Sequence, residues 1–175
     1  MINLALRHMV GAVALTVVGL LAPPVAADEL LAAPEGPVLL TVTGDIAVTN
    51  AGDGAEFDLA MLRALPVESF TTTTIWTEGA LELTGVPLKA LLDRLGVTGG
   101  TLTAKAINDY AVEIPVSDAM PGGPIIAYLE EGEPMPRRKR GPLWIVYPFD
   151  AKDAYRSEVI YSRSIWQLDR LHVTR

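Results

Sequence analysis

Short runs of apolar and β-branched residues recur along the chain, separated by polar or glycine-containing turns. This pattern is typical of strands. The predicted strands cover residues 38–43, 70–76, 80–84, 101–107, 111–114, 125–129 and 143–147. Further strand is predicted around Ile160, Ile165 and residues 168–173. Asn108-Asp109-Tyr110 separates two of the runs and predicts a hairpin turn.

Two segments have helical spacing instead. Asp58 is suited to cap a short helix that runs to residue 65, where Pro66 ends it. Pro87 opens a second predicted helix and Gly96 ends it. The apolar positions of this helix recur every three or four residues, at Leu88, Leu91, Leu92 and Leu95. Many short strands with two or three helices predict an α+β domain.

The first 27 residues follow the pattern of a secretory signal peptide. Arg7 gives the basic start, residues 9–21 are apolar and uncharged, and small residues precede Asp28. We expect cleavage before Asp28, a mobile arm over 28–36 and a domain over 37–175. The alternative is retention as a membrane anchor, but a span normally takes about 20 apolar residues, more than this run supplies.

The signal has a single arginine, Arg7, and no Arg-Arg pair. This favours the general secretory route, which threads unfolded chains, over the twin-arginine route, which carries folded ones. We therefore expect a periplasmic or secreted protein, with no stable membrane insertion once the signal is removed.

The chain is acidic, with 14 Lys and Arg against 21 Asp and Glu and a formal net charge of −7. Such a chain is a poor partner for nucleic acid or anionic lipid. It has no cysteine, which excludes disulfides, thiolate metal ligands and cysteine nucleophiles. We predict no metal site and no catalytic residue from the residue pattern.

From Gly85 onward, the order of short motifs resembles the molybdopterin-binding domain of sulfite-oxidase-type oxidoreductases. The motifs are Thr84-Gly85-Val86-Pro87-Leu88 with Leu91-Leu92, Asn108-Asp109-Tyr110 with Ile114-Pro115, Glu131-Gly132-Glu133-Pro134-Met135, and Gly141-Pro142-Leu143-Trp144 with Tyr147-Pro148. The resemblance covers residues 38–174. It implies a short, stand-alone form of that domain, with an α+β fold of mixed, twisted sheets and a few short helices.

The resemblance also implies a pyranopterin dithiolene that holds molybdenum, with one protein cysteine as a further sulfur ligand shortly before the Gly-Val-Pro-Leu motif. Here the corresponding stretch, residues 71–76, reads Thr-Thr-Thr-Thr-Ile-Trp. A threonine hydroxyl is a hard, weakly acidic donor that does not replace a thiolate on molybdenum. The arginine that the family places after Gly-Pro-Leu is Trp144 here. We therefore expect no cofactor, although the resemblance allows molybdopterin.

Several segments are candidates for binding, each with a purely structural alternative. The basic run 137–140 suits a small anionic molecule, such as a pterin phosphate, or an acidic partner protein, but charge runs are usually solvated loops. Residues 108–110 are either a pocket mouth or a plain turn. Thr73 and Trp144 are either pocket wall or ordinary strand and core residues. The candidate binding residues are thus Thr73, Asn108, Asp109, Tyr110, Arg137, Arg138, Arg140 and Trp144.

Three hypotheses about function fit these residues. The first is an exported, non-catalytic protein on the molybdopterin-oxidoreductase fold that binds a small anionic molecule or a partner protein. The second is a genuine periplasmic molybdopterin-dependent oxidoreductase that holds its cofactor without protein sulfur. The third is a protein-only accessory or signalling module with a periplasmic or membrane partner protein. An open pocket near Thr73, Tyr110 and Arg140 would favour ligand binding, whereas a pocket filled by Trp76 or Trp144 would favour the protein-only role.

Overall fold

The structure is a computed structural model that describes residues 31–175. The predicted signal peptide and the first residues of the predicted arm lie outside this range and stay predictions. The last part of the arm is hydrogen-bonded to Asp58, whose Oδ2 accepts from the backbone N–H of Glu35 at 3.0 Å and of Gly36 at 2.7 Å. The mobility of the arm also stays a prediction.

Residues 40–174 form ten strands, three α-helices and two 3-10 turns. In chain order they are β1 (Leu40–Gly44), β2 (Ala55–Phe57), α1 (Leu59–Ala64), β3 (Glu68–Thr73), β4 (Ala80–Pro87), α2 (Leu88–Arg94), β5 (Thr101–Ala106), β6 (Ala111–Pro115), a 3-10 turn (Val116–Asp118), β7 (Ile125–Glu130), β8 (Glu133–Pro134), β9 (Trp144–Val146), a second 3-10 turn (Asp153–Tyr155), α3 (Glu158–Arg163) and β10 (Leu168–Thr174). No helix within residues 31–175 has the length and apolar content that a membrane span requires.

The strands form two sheets. The first has the order β2-β1-β10-β5-β6, and all its pairs are antiparallel except β1 with β10. The second has the order β3-β4-β7-β8, and β9 also pairs with β7. Two sheets with three short helices confirm the predicted α+β class. The last strand of the chain lies at the centre of the first sheet, between β1 and β5.

Residues 165–168, which we call the seam, join the two sheets just before β10. On the side of β9, the Ile145 N–H donates to the carbonyl of Ile165 at 2.9 Å. On the side of β5, the Ile107 N–H donates to the carbonyl of Gln167 at 2.9 Å. The buried apolar side chains of both sheets belong to one core cluster. The seam therefore fixes the position of one sheet against the other at a single stretch of backbone.

The first two helices begin and end as predicted. The Asp58 carboxylate caps α1 by accepting from the Met61 N–H at 2.8 Å, and this bond, with that from Gly36, lowers the pKa of Asp58 below its usual value. The helix α2 begins after Pro87. Gly96 follows it at a φ of +73°, a conformation that glycine adopts without a steric penalty.

Two predicted strand limits are wrong. The strand predicted over 70–76 ends at Thr73, because the Thr74 hydroxyl accepts from the Trp76 N–H at 3.1 Å and closes a turn. The strand predicted over 80–84 continues to Pro87. It passes Gly85 because that residue lies against the backbone of β7, where an added Cβ would stand 2.1 Å from the Ile126 carbonyl oxygen.

The prediction of strand at Ile160 is also wrong, since this residue lies in α3. Ser157 caps that helix, with its hydroxyl accepting from the Ile160 N–H at 3.4 Å. The capping serine followed by Glu158 is a helix-start signal that the sequence analysis did not use. Residues of this helix line the larger of two cavities in the described part of the chain.

Candidate functional site

A cavity of about 540 Å³ opens where four segments meet: the turn after β3, the β5–β6 turn, α3, and the connection from α3 to β10. Its volume falls in the range of small-molecule sites, about 300–1,000 Å³. A second cavity, of about 450 Å³, lies beside α2, and no aromatic residue is among its lining residues. The first cavity is the candidate functional site because aromatic rings and convergent polar groups line it together.

Trp76 forms the wall on the side of β3. The turn that ends β3 leaves Ile75 61% exposed and directs the neighbouring Trp76 into the cavity wall. The Trp76 ring makes edge-to-face contacts with four other rings, at centroid distances of 5.4–6.1 Å, namely Trp144, Phe149, Tyr161 and Trp166. Such contacts stabilise beyond the burial of area alone, so this indole is held firmly in place.

Thr73 lies outside the cavity lining and is hydrogen-bonded to Asp150. Its backbone N–H and its hydroxyl donate to the Asp150 carboxylate at 2.6 and 2.7 Å. Arg156 donates to the same carboxylate at 2.6 Å. The Thr73 N–H, then its hydroxyl, then Arg156 hold the pKa of Asp150 at about 2. Thr73 therefore anchors the segment after β9 to the end of β3.

The β5–β6 turn contributes two of its three candidate residues. Asn108 and Tyr110 line the cavity, and Tyr110 is 55% exposed at its edge. Asp109 is the residue with a positive φ, 65°, and its carboxylate pairs with Arg170 at 2.9 Å, outside the lining. Two of the three predicted residues therefore line the cavity, and the Asp109 carboxylate does not.

The basic loop does not line the cavity. Arg137 and Arg138 are exposed, whereas Arg140 is half-buried and forms a bidentate pair with the Glu130 carboxylate. The Arg140 guanidinium also lies over the Trp144 ring, 5.3 Å from its centroid. Its charge is therefore balanced locally. The anion site predicted on this loop stays a prediction for the exposed residues.

The loop still touches the cavity wall through one residue. Gln167, which has a φ of +53°, lines the cavity, and its side-chain amide donates to the Arg137 carbonyl at 2.5 Å. Trp144 is fully buried behind Trp76, and its indole N–H donates to the Ser164 carbonyl at 3.2 Å. Trp144 is thus a support for the wall, and the open volume lies in front of Trp76.

The cavity wall formed by α3 and the seam was not predicted from the sequence. That wall consists of Glu158, Tyr161, Ser162, Ser164, Ile165, Trp166 and Gln167. Glu158 is the only charged side chain in the whole lining, and it forms no salt bridge with any residue in the range 31–175. The cavity therefore combines four aromatic rings, a few neutral polar groups and one unpaired carboxylate.

These residues do not fit a molybdenum centre with a protein sulfur ligand. The chain has no cysteine, and the stretch that corresponds to the sulfur ligand presents the Trp76 ring to the cavity. The Thr73 hydroxyl, a hard donor, is already bonded to Asp150. No arginine or lysine lines the described cavity to receive a pterin phosphate.

Comparison with known proteins agrees with the fold. The family model described as "Oxidoreductase molybdopterin binding domain" matches residues 40–151, which end before α3 and β10. Among solved structures, the chain is similar to the sulfane dehydrogenase SoxCD from Paracoccus pantotrophus, with 19% identity and a TM-score of 0.58. The likeness covers 77% of this chain and 37% of that chain, and at this identity it shows the fold alone. A comparison with curated proteins gives no match.

Proposed function

The chain belongs to the family of oxidoreductase molybdopterin-binding domains, and we propose that it is an exported, non-catalytic member whose cavity binds a small organic molecule. The single observation that carries this proposal is the position of Trp76. This indole, held by four neighbouring rings, lies within the stretch 71–76 to which the resemblance assigns the sulfur ligand, and a cavity of about 540 Å³ stays open beside it.

The proposed loss of catalysis is supported by the donors available at this position. Oxygen-atom transfer needs the metal that the cofactor carries, and the residues around the cavity offer neither a thiolate nor a cation for the pterin phosphate. The wall of α3 and the seam also comes from residues beyond the 40–151 match. The family match therefore does not extend over this wall of the cavity.

Binding of a small molecule is favoured by the lining. Aromatic walls with a few polar groups are typical of small-molecule sites. Asn108, Ser162 and Gln167 place neutral donors and acceptors around the rings of Trp76 and Trp166. This combination suits an apolar or flat organic group with a polar end.

Export is part of the proposal and is supported by the pattern of residues 1–27. A chain threaded unfolded through the secretory route crosses the membrane without a preloaded cofactor, which agrees with a non-catalytic role. Cell fractionation followed by N-terminal sequencing tests this directly. We expect the mature chain to begin at Asp28 in the periplasmic or secreted fraction, and a full-length chain in the cytoplasm would contradict export.

The experiment on function is metal analysis combined with native mass spectrometry of protein purified from its own compartment. We expect molybdenum far below one atom per chain and a bound organic molecule as a mass adduct. Stoichiometric molybdenum with a pterin absorption band would contradict the non-catalytic role and support a genuine oxidoreductase. A chain with neither molybdenum nor an adduct would contradict the small-molecule role.

A protein-docking role is the second candidate, because two large side chains at the cavity are exposed, Ile75 at 61% and Tyr110 at 55%. If the mouth docks a partner, Ile75→Ser will reduce cross-linking to periplasmic proteins. Val67→Ser is the matched control, since Val67 is 53% exposed and lies outside the cavity lining. Equal cross-linking by both variants and the parent chain would remove the support for docking.

A further inference from the structure

We infer that the cavity takes an organic cation, specifically a weakly hydrated quaternary or methylated ammonium group. This inference rests on the proposed function, in that it names the chemical class of the small molecule. Two features of the lining carry it: the number of aromatic rings and the sign of the only charge.

Four of the lining residues are aromatic: Trp76, Tyr110, Tyr161 and Trp166. Aromatic faces are electronegative and attract cations, tryptophan most strongly. The planes of Trp76 and Trp166 meet at 90° with centroids 5.4 Å apart, so the two indoles form adjacent walls of a corner. A tetrahedral ammonium group with methyl substituents contacts both walls of such a corner, whereas a flat ligand stacks on one.

Glu158 contributes the negative charge of the cavity lining. It is the first residue of α3 and lies in the cavity lining. The residue is exposed, and the salt bridges within residues 31–175 do not include its carboxylate, so the lining carries a negative charge without a protein counter-ion. A cationic ligand gains Coulomb energy at this carboxylate and an anionic ligand loses it.

The surroundings reinforce this preference. The chain as a whole carries a formal net charge of −7, which raises the local concentration of cations near its surface. The basic residues Arg137, Arg138 and Arg140 lie outside the lining. Within the described residues no group of three or more acidic or histidine side chains is arranged to hold a metal ion. An organic cation fits this lining, because its recognition depends on aromatic rings more than on several carboxylates.

The cavity volume sets the size of the ligand. At about 540 Å³ the cavity is larger than a trimethylammonium group, so this group is one end of a longer molecule. Asn108 and Ser162 give its other end neutral polar side chains to contact, whereas the Gln167 amide is already bonded to the Arg137 carbonyl.

The test compares choline with 3,3-dimethyl-1-butanol, which has the same shape with a neutral carbon in place of nitrogen. Binding of each to the purified protein is followed by calorimetry and by tryptophan fluorescence. We expect choline to bind about tenfold more tightly, a ratio that a desolvated cation over several rings supplies. Equal affinities would overturn the cation inference while leaving a small-molecule cavity intact.

Variants separate the ring and carboxylate contributions. Glu158→Gln is expected to weaken choline binding about threefold to tenfold and to leave the neutral compound unaffected. Glu133→Gln is the matched control, because it removes the same charge from an exposed residue outside the lining. Tyr110→Leu keeps an apolar side chain at an exposed position, so it removes a ring with little effect on folding, and it is expected to weaken choline selectively.

Three outcomes contradict the inference. Acetate or phosphate binding in the cavity more tightly than choline would reverse the sign of the ligand charge. Equal choline affinity in Glu158→Gln and Glu133→Gln would remove the role of the carboxylate. Failure of both choline and its neutral analogue to bind would overturn the cation inference, and native mass spectrometry would then decide separately whether the cavity holds another small molecule.

Discussion

At the scale of single residues, the Asp150 carboxylate concentrates three donated hydrogen bonds on one partly exposed side chain. The Thr73 N–H, the Thr73 hydroxyl and Arg156 all favour its ionised form, and the pKa falls from 3.8 to about 2. A carboxyl group whose pKa is lower in the folded state stabilises the fold above its unfolded pKa. This stabilisation is lost as the pH falls from about 4 towards 2.

The variant Asp150→Asn tests this contribution. We expect it to be less stable than the parent chain at pH 7, and the difference in Tm to shrink as the pH falls through the window from 3.8 to about 2. Thermal unfolding followed by circular dichroism at several pH values measures both. Asp53→Asn, in an exposed turn, is the control. A Tm difference that stays constant over the whole pH range would contradict the assignment.

Trp76 is the second residue with a consequence that can be measured. Replacing it by alanine removes contacts with four rings, and we expect a loss of about 2–4 kcal/mol in the free energy of unfolding, since this side chain is only half-buried. Urea unfolding measures the loss. The neighbouring Ile75→Ala is the control and is expected to change stability by no more than about 0.5 kcal/mol. Equal effects of the two variants would show that Trp76 does not anchor the wall.

The candidate residues whose contacts lie within one turn were predicted better than those whose contacts come from another segment. Asn108 and Tyr110 were predicted to face a pocket, and both line the cavity, because a hairpin turn places its own residues. Arg140 has a balanced charge because Glu130, the last residue of β7, lies beside it. The spacing of residues in the sequence does not indicate the Arg140–Glu130 ion pair, so a prediction made from the basic run alone does not include this pair.

At the scale of elements, local chemistry fixes where helices begin, and packing fixes how far strands continue. Asp58 and Gly96 mark the limits of α1 and α2 as the sequence predicts. The strand β4 continues past Gly85, where the pairing with β7 is irregular. In a sequence, a glycine usually indicates the end of a strand. In β4 a glycine is needed inside the strand, because the backbone of β7 approaches Gly85 too closely for a side chain.

Gly85→Ala is therefore expected to destabilise the protein strongly. The new Cβ would lie 2.1 Å from the Ile126 carbonyl oxygen, which belongs to the backbone and has no room to move aside without disturbing the strand pair. We expect a loss of at least about 2 kcal/mol in denaturant unfolding. Gly99→Ala, where no atom lies within 4 Å of the added Cβ, is the matched control and is expected to be close to neutral. Equal stability of the two variants would contradict the close packing of β4 on β7.

At the scale of the whole molecule, the seam coincides with the three tryptophans. Trp166 belongs to the seam, the Trp76 ring contacts the Trp166 ring, and Trp144 forms a backbone bridge with Trp166. The three tryptophans of the chain therefore all report on the junction between the two sheets. Sequence analysis predicts the strands on either side of this junction, but not which of them meet there, because sheet order depends on contacts between distant residues.

This arrangement predicts cooperative unfolding. Far-UV circular dichroism follows both sheets and tryptophan emission follows their junction, so we expect the two denaturant transitions to coincide. A tryptophan transition at clearly lower denaturant concentration than the dichroism transition would show that the seam opens before the sheets unfold. Thr174→Ala, at the far end of β10, is a control whose two transitions should stay coincident even if both shift.

The position of β10 has a consequence for the time at which the protein folds. During synthesis the N-terminal strands emerge first, and the pairs β1–β2 and β5–β6 are available early. The strand that lies between these pairs is β10, residues 168–174, which follows all of them in the chain. Contacts between residues so far apart in sequence form late. The first sheet therefore has no central strand until residues 168–174 have been synthesised, and its two strand pairs cannot join before then.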